Sequence, residues 1–133
     1  MSDATCRLVP SGDPYRGAQG FTYLTGLTGA SAGSRAICMI VLLLPDGARA
    51  KTHLHRGIET AAFVIEGEVE MWFGERLAEQ LVARAGEYVY VPADMPHLVL
   101  NRSGAAARAL VAHTAADDQE GIVLLPELDG MHP

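Results

Sequence analysis

Two histidines stand one residue apart in the stretch KTHLHRGIET, and a glutamate follows four residues after the second. In a β-strand, residues i and i+2 point to the same side, so His53 and His55 would present both imidazoles to one face. Glu59 lies beyond the turn signal Arg56-Gly57 and can return to that face from the next strand. Such a cluster can chelate one metal ion. The alternative interpretation is ordinary surface polarity near a turn.

A third imidazole is available further along the chain. Of the five histidines, His97 follows Pro92 and Pro96 and opens another apolar stretch. Placed by a strand and braced by two prolines, it would complete a set of three histidines and one carboxylate. The remaining two, His113 and His132, lie in an alternating stretch and in the C-terminal tail.

Short apolar or alternating runs, each closed by turn residues, dominate the chain from Ala36 onward. Closely spaced strands of this kind are typical of an antiparallel β-sandwich or barrel, so we expect an all-β fold. Glu75–Ala85 also has apolar residues at helical spacing, but strands are predicted on both sides of it. The predicted strands are Phe21–Leu24, Ala36–Leu44, Ala48–His55, Thr60–Ile65, Val69–Phe73, Glu79–Ala83, Glu87–Val91, His97–Leu100, Ala107–His113 and Gly121–Leu125.

Bulk composition excludes several classes of function. The chain has 133 residues, 49% of them hydrophobic, which suits one globular domain with a real core. A formal net charge of −6 and the lack of a basic block argue against nucleic acid and anionic membranes as partners. The longest apolar run, Ala36–Leu44, is too short to span a bilayer. Two cysteines and no signal-peptide pattern give a cytoplasmic location as the default.

Two stretches resemble the paired motifs of the cupin superfamily, and in particular of its small single-domain members. GARAKTHLHRGIETAAFVIEG resembles the first motif: Gly, five residues, His-x-His, three or four residues, Glu, six residues, Gly. GEYVYVPADMPHLVLN resembles the second: Gly, five residues, Pro-x-Gly, two residues, His, three residues, Asn. The resemblance implies a double-stranded β-helix, also called a jelly-roll barrel, that is mostly antiparallel. It further implies that His53, His55, Glu59 and His97 bind one divalent transition metal ion inside the barrel.

The first motif departs from the family pattern at one point. Seven residues, not six, separate Glu59 from Gly67, and reading back from Gly67 would place Thr60 at the ligand position. We favour Glu59, because threonine is a poor ligand for such an ion. In the second motif Asp94 replaces glycine, a mild change because aspartate tolerates turn conformations. Imidazole and carboxylate suit Fe, Mn, Ni, Zn or Cu, so the ligands do not identify the metal.

Five further residues are candidates for the wall of a ligand pocket. If the two histidines point inward, strand periodicity predicts that Glu59, Ala61, Phe63 and Ile65 do so as well. Of these, Phe63 is a pocket candidate, and the other four candidates are Met71, Tyr88, Tyr90 and His113. For Phe63, Met71, Tyr88 and Tyr90, packing alone is the competing interpretation, because aromatic and apolar residues are common in strands. For His113 the competing interpretation is a core histidine with satisfied hydrogen bonds.

We therefore expect an N-terminal arm over residues 1–35, a barrel over residues 36–126 and a tail over residues 127–133. The open positions of the ion suggest a dioxygenase, or an isomerase or cyclase, for a small-molecule ligand. The alternative function is a non-catalytic ligand-binding or sensor protein. Small cupins resembling this chain usually form dimers, and the glycine-rich arm and Ala36–Leu44 are suitable material for a homodimer interface.

Overall fold

Two antiparallel β-sheets face each other across one hydrophobic core in the computed structural model, which describes residues 4–133. The strands are β1 (Pro14–Arg16), β2 (Thr22–Leu27), β3 (Cys38–Leu44), β4 (His53–His55), β5 (Thr60–Glu66), β6 (Glu68–Phe73), β7 (Glu79–Arg84), β8 (Tyr88–Val91), β9 (His97–Leu100), β10 (Ala107–His113) and β11 (Ile122–Leu124). A short helix α1 (Gly29–Ala32) and a 3-10 turn (Pro126–Leu128) complete the described elements.

The larger sheet has the strand order β1-β2-β3-β10-β5-β8, and the smaller has the order β11-β4-β9-β6-β7. Every strand pair is antiparallel. The order is non-sequential, so the chain crosses repeatedly from one sheet to the other. This is the predicted all-β, jelly-roll type of architecture, and the structure confirms it.

Strict alternation of side chains builds the core of the larger sheet. In β3, Cys38, Ile40, Leu42 and Leu44 are buried, while the residues between them are exposed or half-buried. β10 lies beside β3 in register, from Ala107 opposite Leu44 to His113 opposite Cys38. The two central strands therefore bury the same rows of side chains against the smaller sheet, as a period of two requires.

The outer face of the smaller sheet has its own apolar cluster, made of Leu77, Leu98 and Leu100 and contacted by Trp72 and Leu128. The C-terminal tail covers this face, because Leu128 belongs to it and His132 stacks on Trp72 with ring centroids 3.6 Å apart. Residues 75–78 form a loop rather than the start of a helix. Within that loop, Leu77 is in the left-handed region (φ 52°) and is fully buried.

The first part of the chain adds to the larger sheet. Strands β1 and β2, both within the predicted arm, extend that sheet beyond β3. The predicted strand Ala48–His55 is shorter in the structure, where β4 comprises His53–His55 and Arg49 makes only an isolated bridge. Among residues 4–133, no helix is long and apolar enough to cross a membrane.

Candidate metal centre

Three buried imidazoles converge between the sheets. β4 presents His53 and His55 on the same side, and β9 brings His97 directly opposite His53. One ring nitrogen from each lies within 4.8 Å of the others, and each residue is at most 5% exposed. The ring centroids are 4.4 to 5.8 Å apart. The structure thus brings together the three histidines that the sequence predicts.

Main-chain carbonyls fix the tautomers of two of these rings. Nδ1 of His53 lies 2.8 Å from the Lys51 carbonyl oxygen, and Nδ1 of His97 lies 2.9 Å from that of Met95. A carbonyl oxygen can only accept, so Nδ1 carries the hydrogen in both rings and Nε2 keeps its lone pair. Metal-binding histidines are held in this way, with one nitrogen anchored to the protein and the other free for the ion.

Burial keeps the cluster uncharged. It lowers the pKa of His53 well below its ordinary value and lowers those of His55 and His97 to about 4. Neighbouring histidines add to the effect, because a second positive charge nearby would be unfavourable. At neutral pH the three rings are therefore neutral, which is the form that binds metal.

Glu59 does not join the cluster. Its side chain is exposed, and the Tyr90 hydroxyl donates a 2.6 Å hydrogen bond to its Oε1. The inward row of β5 consists instead of Thr60, Ala62 and Val64, while Ala61 and Ile65 are exposed. The prediction that Glu59, Ala61, Phe63 and Ile65 point inward is therefore wrong, because the inward row of β5 is shifted by one residue. Thr60, rather than Glu59, is buried at this end of β5, where its hydroxyl is bonded to His113.

The turn before β5 explains this offset. Gly57 is in the left-handed region (φ 69°), and the Asp94 carboxylate accepts a hydrogen bond from its N–H. Gly67, at the other end of β5, packs so tightly that a Cβ would come within 2.6 Å of the Ala106 carbonyl oxygen. These two fixed ends set the register of the strand. The spacing back from Gly67, rather than forward from the histidines, gives the correct inward residue.

His113 adds a fourth buried imidazole beside the cluster. It is 6% exposed, and its ring centroid lies 4.7 Å from that of His55. Its Nδ1 is hydrogen-bonded to Oγ1 of Thr60 at 2.7 Å, across the β10–β5 strand pair. Burial lowers the pKa of His113 to about 4, and His97 adds to this shift. Sequence reasoning identified His113 only as a pocket candidate.

Of the remaining pocket candidates, one lies in the core and three lie on the outer face of the larger sheet. Met71 is buried between the sheets. Phe63 and Tyr88 contact each other on the outer face of the larger sheet, with ring centroids 4.9 Å apart. Tyr90 is also on that face, and it lines a cavity of about 250 Å³ at the end of β5 and β10, together with Glu59, Thr60 and His113.

The donor set fits a divalent transition metal ion. Three neutral imidazoles suit Fe(II), Mn(II), Ni(II), Zn(II) or Cu(II), and they leave coordination positions open for other ligands. Nδ1 of His55 is buried and has no hydrogen-bond partner within residues 4–133. In the described part of the chain, the group of possible ligand atoms within 4.8 Å of one another contains these three histidine nitrogens and no carboxylate oxygen. The arrangement therefore fits an ion better than it fits a purely structural core.

Comparison with known proteins gives a family and a set of similar folds. A family model described as the cupin domain matches residues 39–113. The TT1209 protein from Thermus thermophilus is 30% identical, over 62% of this chain and 75% of that one, with a TM-score of 0.56. Comparison with curated protein sequences gives no match.

Two enzymes of known structure share the fold at lower identity. The DMSP lyase DddQ from Ruegeria pomeroyi DSS-3 is 24% identical over 68% of this chain, with a TM-score of 0.58. An S161A mutant of oxalate decarboxylase OxdC from Bacillus subtilis is 22% identical over 85% of this chain, with a TM-score of 0.67. The chain spans only 44% of the lyase and 30% of the decarboxylase, so these likenesses concern the fold.

Proposed function

This chain belongs to the cupin domain family, and from that premise we propose that it is a metal-dependent enzyme acting on a small molecule. His53, His55 and His97 hold one divalent transition metal ion, and the reaction is of the dioxygenase or the isomerase and cyclase type. The observation that carries the proposal is the buried group of three neutral imidazoles, two of them with Nδ1 anchored on main-chain carbonyls. Such a group has no evident use in a core that lacks an ion.

Enzymes of known structure that share the fold support this class of function. Oxalate oxidase has been studied in complex with the substrate analogue glycolate, and the oxalate decarboxylase of Bacillus subtilis contains Mn(II) centres. Both are similar to this chain at 22% identity. They support a metal-dependent reaction on a small organic molecule.

The protein residues have distinct tasks in this proposal. A bound ion supplies Lewis-acid or redox chemistry at its open positions. The histidines hold it in a buried site, and the core around them restricts the access of water. The Glu59–Tyr90 pair lines the cavity of about 250 Å³ beside His113 and can offer both a carboxylate and a hydroxyl to a polar substrate.

Metal analysis tests the metal-binding part. We expect protein purified without added metal or a chelating resin to retain a transition metal, and Fe(II), Mn(II) or Zn(II) to bind at one ion per chain. Replacing His97 by Ala should remove at least about 90% of the bound ion, since loss of one of three ligands severely weakens such a site. Circular dichroism will show whether the variant remains folded. An unchanged metal content in folded His97→Ala would refute the assignment.

Turnover tests the enzymatic part. The metal-loaded chain should consume oxygen, or convert substrate without oxygen, with at least one compound from a panel of enediols, thiols, catechols and small hydroxy acids. Nuclear magnetic resonance detects isomerisation and cyclisation in the same samples. If a compound binds tightly and is recovered unaltered under every metal, the chain is instead a ligand-binding or sensor protein.

We also propose that the chain forms a homodimer through the outer face of its larger sheet. Ile37, Met39 and Tyr88 are exposed there by 60%, 44% and 80%. The tail covers the outer face of the smaller sheet, whereas on the larger sheet Arg7, Val9 and Ser11 of the N-terminal segment border one cavity and leave these three side chains exposed. Met39 and Leu110 line two shallow cavities on it, of about 290 and 150 Å³, that apolar side chains of a second copy could fill.

A further inference from the structure

We propose that His113 is a fourth metal ligand, which takes the place of a carboxylate and is anchored by Thr60. The inference rests on the proposed metal site and specifies its donor set. Thr60 stands on the inward row of β5, at the position facing the histidines, and its side chain cannot supply a strong ligand for a divalent transition metal. The hydroxyl of Thr60 is instead bonded to His113, at 2.7 Å from Nδ1.

The anchoring of His113 follows the pattern of the other metal-facing rings. In His53 and His97, Nδ1 is bonded to a protein oxygen, which leaves Nε2 for the ion. In His113 the oxygen is that of Thr60, and when Nδ1–H donates to it, Nε2 keeps its lone pair. Nε2 of His113 makes no hydrogen bond to any residue in the part of the chain that the structure describes.

The position of His113 is also suitable. Its ring lies 4.7 Å from that of His55 between centroids, and β10 places it directly opposite Thr60 in the strand register. It stands beside the group of three nitrogens that lie within 4.8 Å of one another, so ligation requires its ring to shift toward them. With His113 included, the site is a set of four neutral imidazoles drawn from β4, β9 and β10.

Pulsed electron paramagnetic resonance of the Cu(II)-loaded chain tests the donor count, and competition with a chelator measures the Zn(II) affinity. We expect four imidazole nitrogens in the wild type and three in His113→Leu. The Kd for Zn(II) should rise by about 10- to 100-fold in that variant. Thr60→Val, which keeps the shape of the side chain but loses the hydroxyl, should weaken Zn(II) binding by a smaller factor. If His113→Leu does not fold, the Zn(II) affinity of Thr60→Val still tests the proposal.

The matched control is Thr114→Val. Thr114 is exposed, and its hydroxyl only accepts a hydrogen bond from the N–H of Glu59, so both readouts should match the wild type. Equal imidazole counts in the wild type and His113→Leu, or equal Zn(II) affinities of the wild type and Thr60→Val, would overturn the role of His113 and Thr60. A wild type that binds neither Cu(II) nor Zn(II) would overturn the proposed metal-dependent function itself.

Discussion

Glu59 separates the expected ligand set from the one that the structure supports. Its carboxylate is exposed and bonded to Tyr90, away from the three imidazoles. We therefore expect Glu59→Gln to retain the metal content of the wild type, because an amide at this position changes no nitrogen of the cluster. Metal analysis by mass spectrometry checks this, with His97→Ala as the variant that must lose the ion. A Glu59→Gln protein without metal would restore Glu59 to the ligand set.

The sequence predicts the histidines but not the carboxylate, and strand geometry explains the difference. His53 and His55 share one short strand, so their spacing of two residues alone places both rings on one face. Glu59 lies beyond a turn, and a shift of one residue in the register reverses every side chain of the following strand. Glu59, Ala61, Phe63 and Ile65 are all misplaced for this single reason.

The partnership between His113 and Thr60 could not be predicted from local spacing. The two residues are far apart in the chain and meet only because β10 pairs with β5 in a particular register. Nothing in either residue's neighbourhood specifies that register. His97 was predicted because the second motif of the cupin family marks it, and His113 lies outside both motifs.

At the scale of elements, Asn101 joins the end of β3 to the loop before β10. It is 1% exposed, and its Nδ2 donates to the carbonyl oxygens of Leu44 and Ala105, at 2.9 and 2.8 Å. Its Oδ1 accepts hydrogen bonds from the N–H and the hydroxyl of Ser103. One side chain thus satisfies buried polar groups on two elements.

Replacing Asn101 by Ala should lower the free energy of unfolding by roughly 2–4 kcal/mol, because buried carbonyl groups lose their donor. Urea unfolding measures the change. Ser103→Ala is the control, and we expect it to cost about 1 kcal/mol or less, since the main-chain N–H of residue 103 still reaches Asn101. Equal losses in the two variants would contradict the central role of the amide.

Most strands could be predicted from the pattern of their apolar residues. The elements that were missed are short, and one segment with helical spacing forms a strand instead. β3 was predicted nearly to its ends as a continuous apolar run, and β6 and β10 as runs of six or seven residues with recurring apolar side chains. β1 has three residues and α1 has four, which is too short for any periodicity to appear. The helical spacing in Glu75–Ala85 was overridden by pairing, since β7 is bonded along its whole length to β6.

At the scale of the whole molecule, the two sheets differ in what covers their outer faces. The tail packs Leu128 and His132 over the smaller sheet. The larger sheet leaves Ile37, Met39 and Tyr88 exposed around shallow apolar cavities. The long apolar strand predicted as interface material is β3, which lies between β2 and β10, so it contributes its outward side chains rather than a free edge.

We expect Met39→Glu to convert the homodimer to a monomer. Met39 lies on the outward side of β3 and lines two cavities of that face, so a carboxylate there would be buried without a partner on dimerisation. The dimer Kd should rise by at least about 100-fold, which corresponds to ~2.7 kcal/mol. Light scattering after size-exclusion chromatography measures the mass at several concentrations. Val82→Glu is the matched control, because Val82 is 38% exposed on β7, an edge strand of the other sheet. It should stay dimeric, and dissociation by Val82→Glu instead of Met39→Glu would place the interface on the smaller sheet.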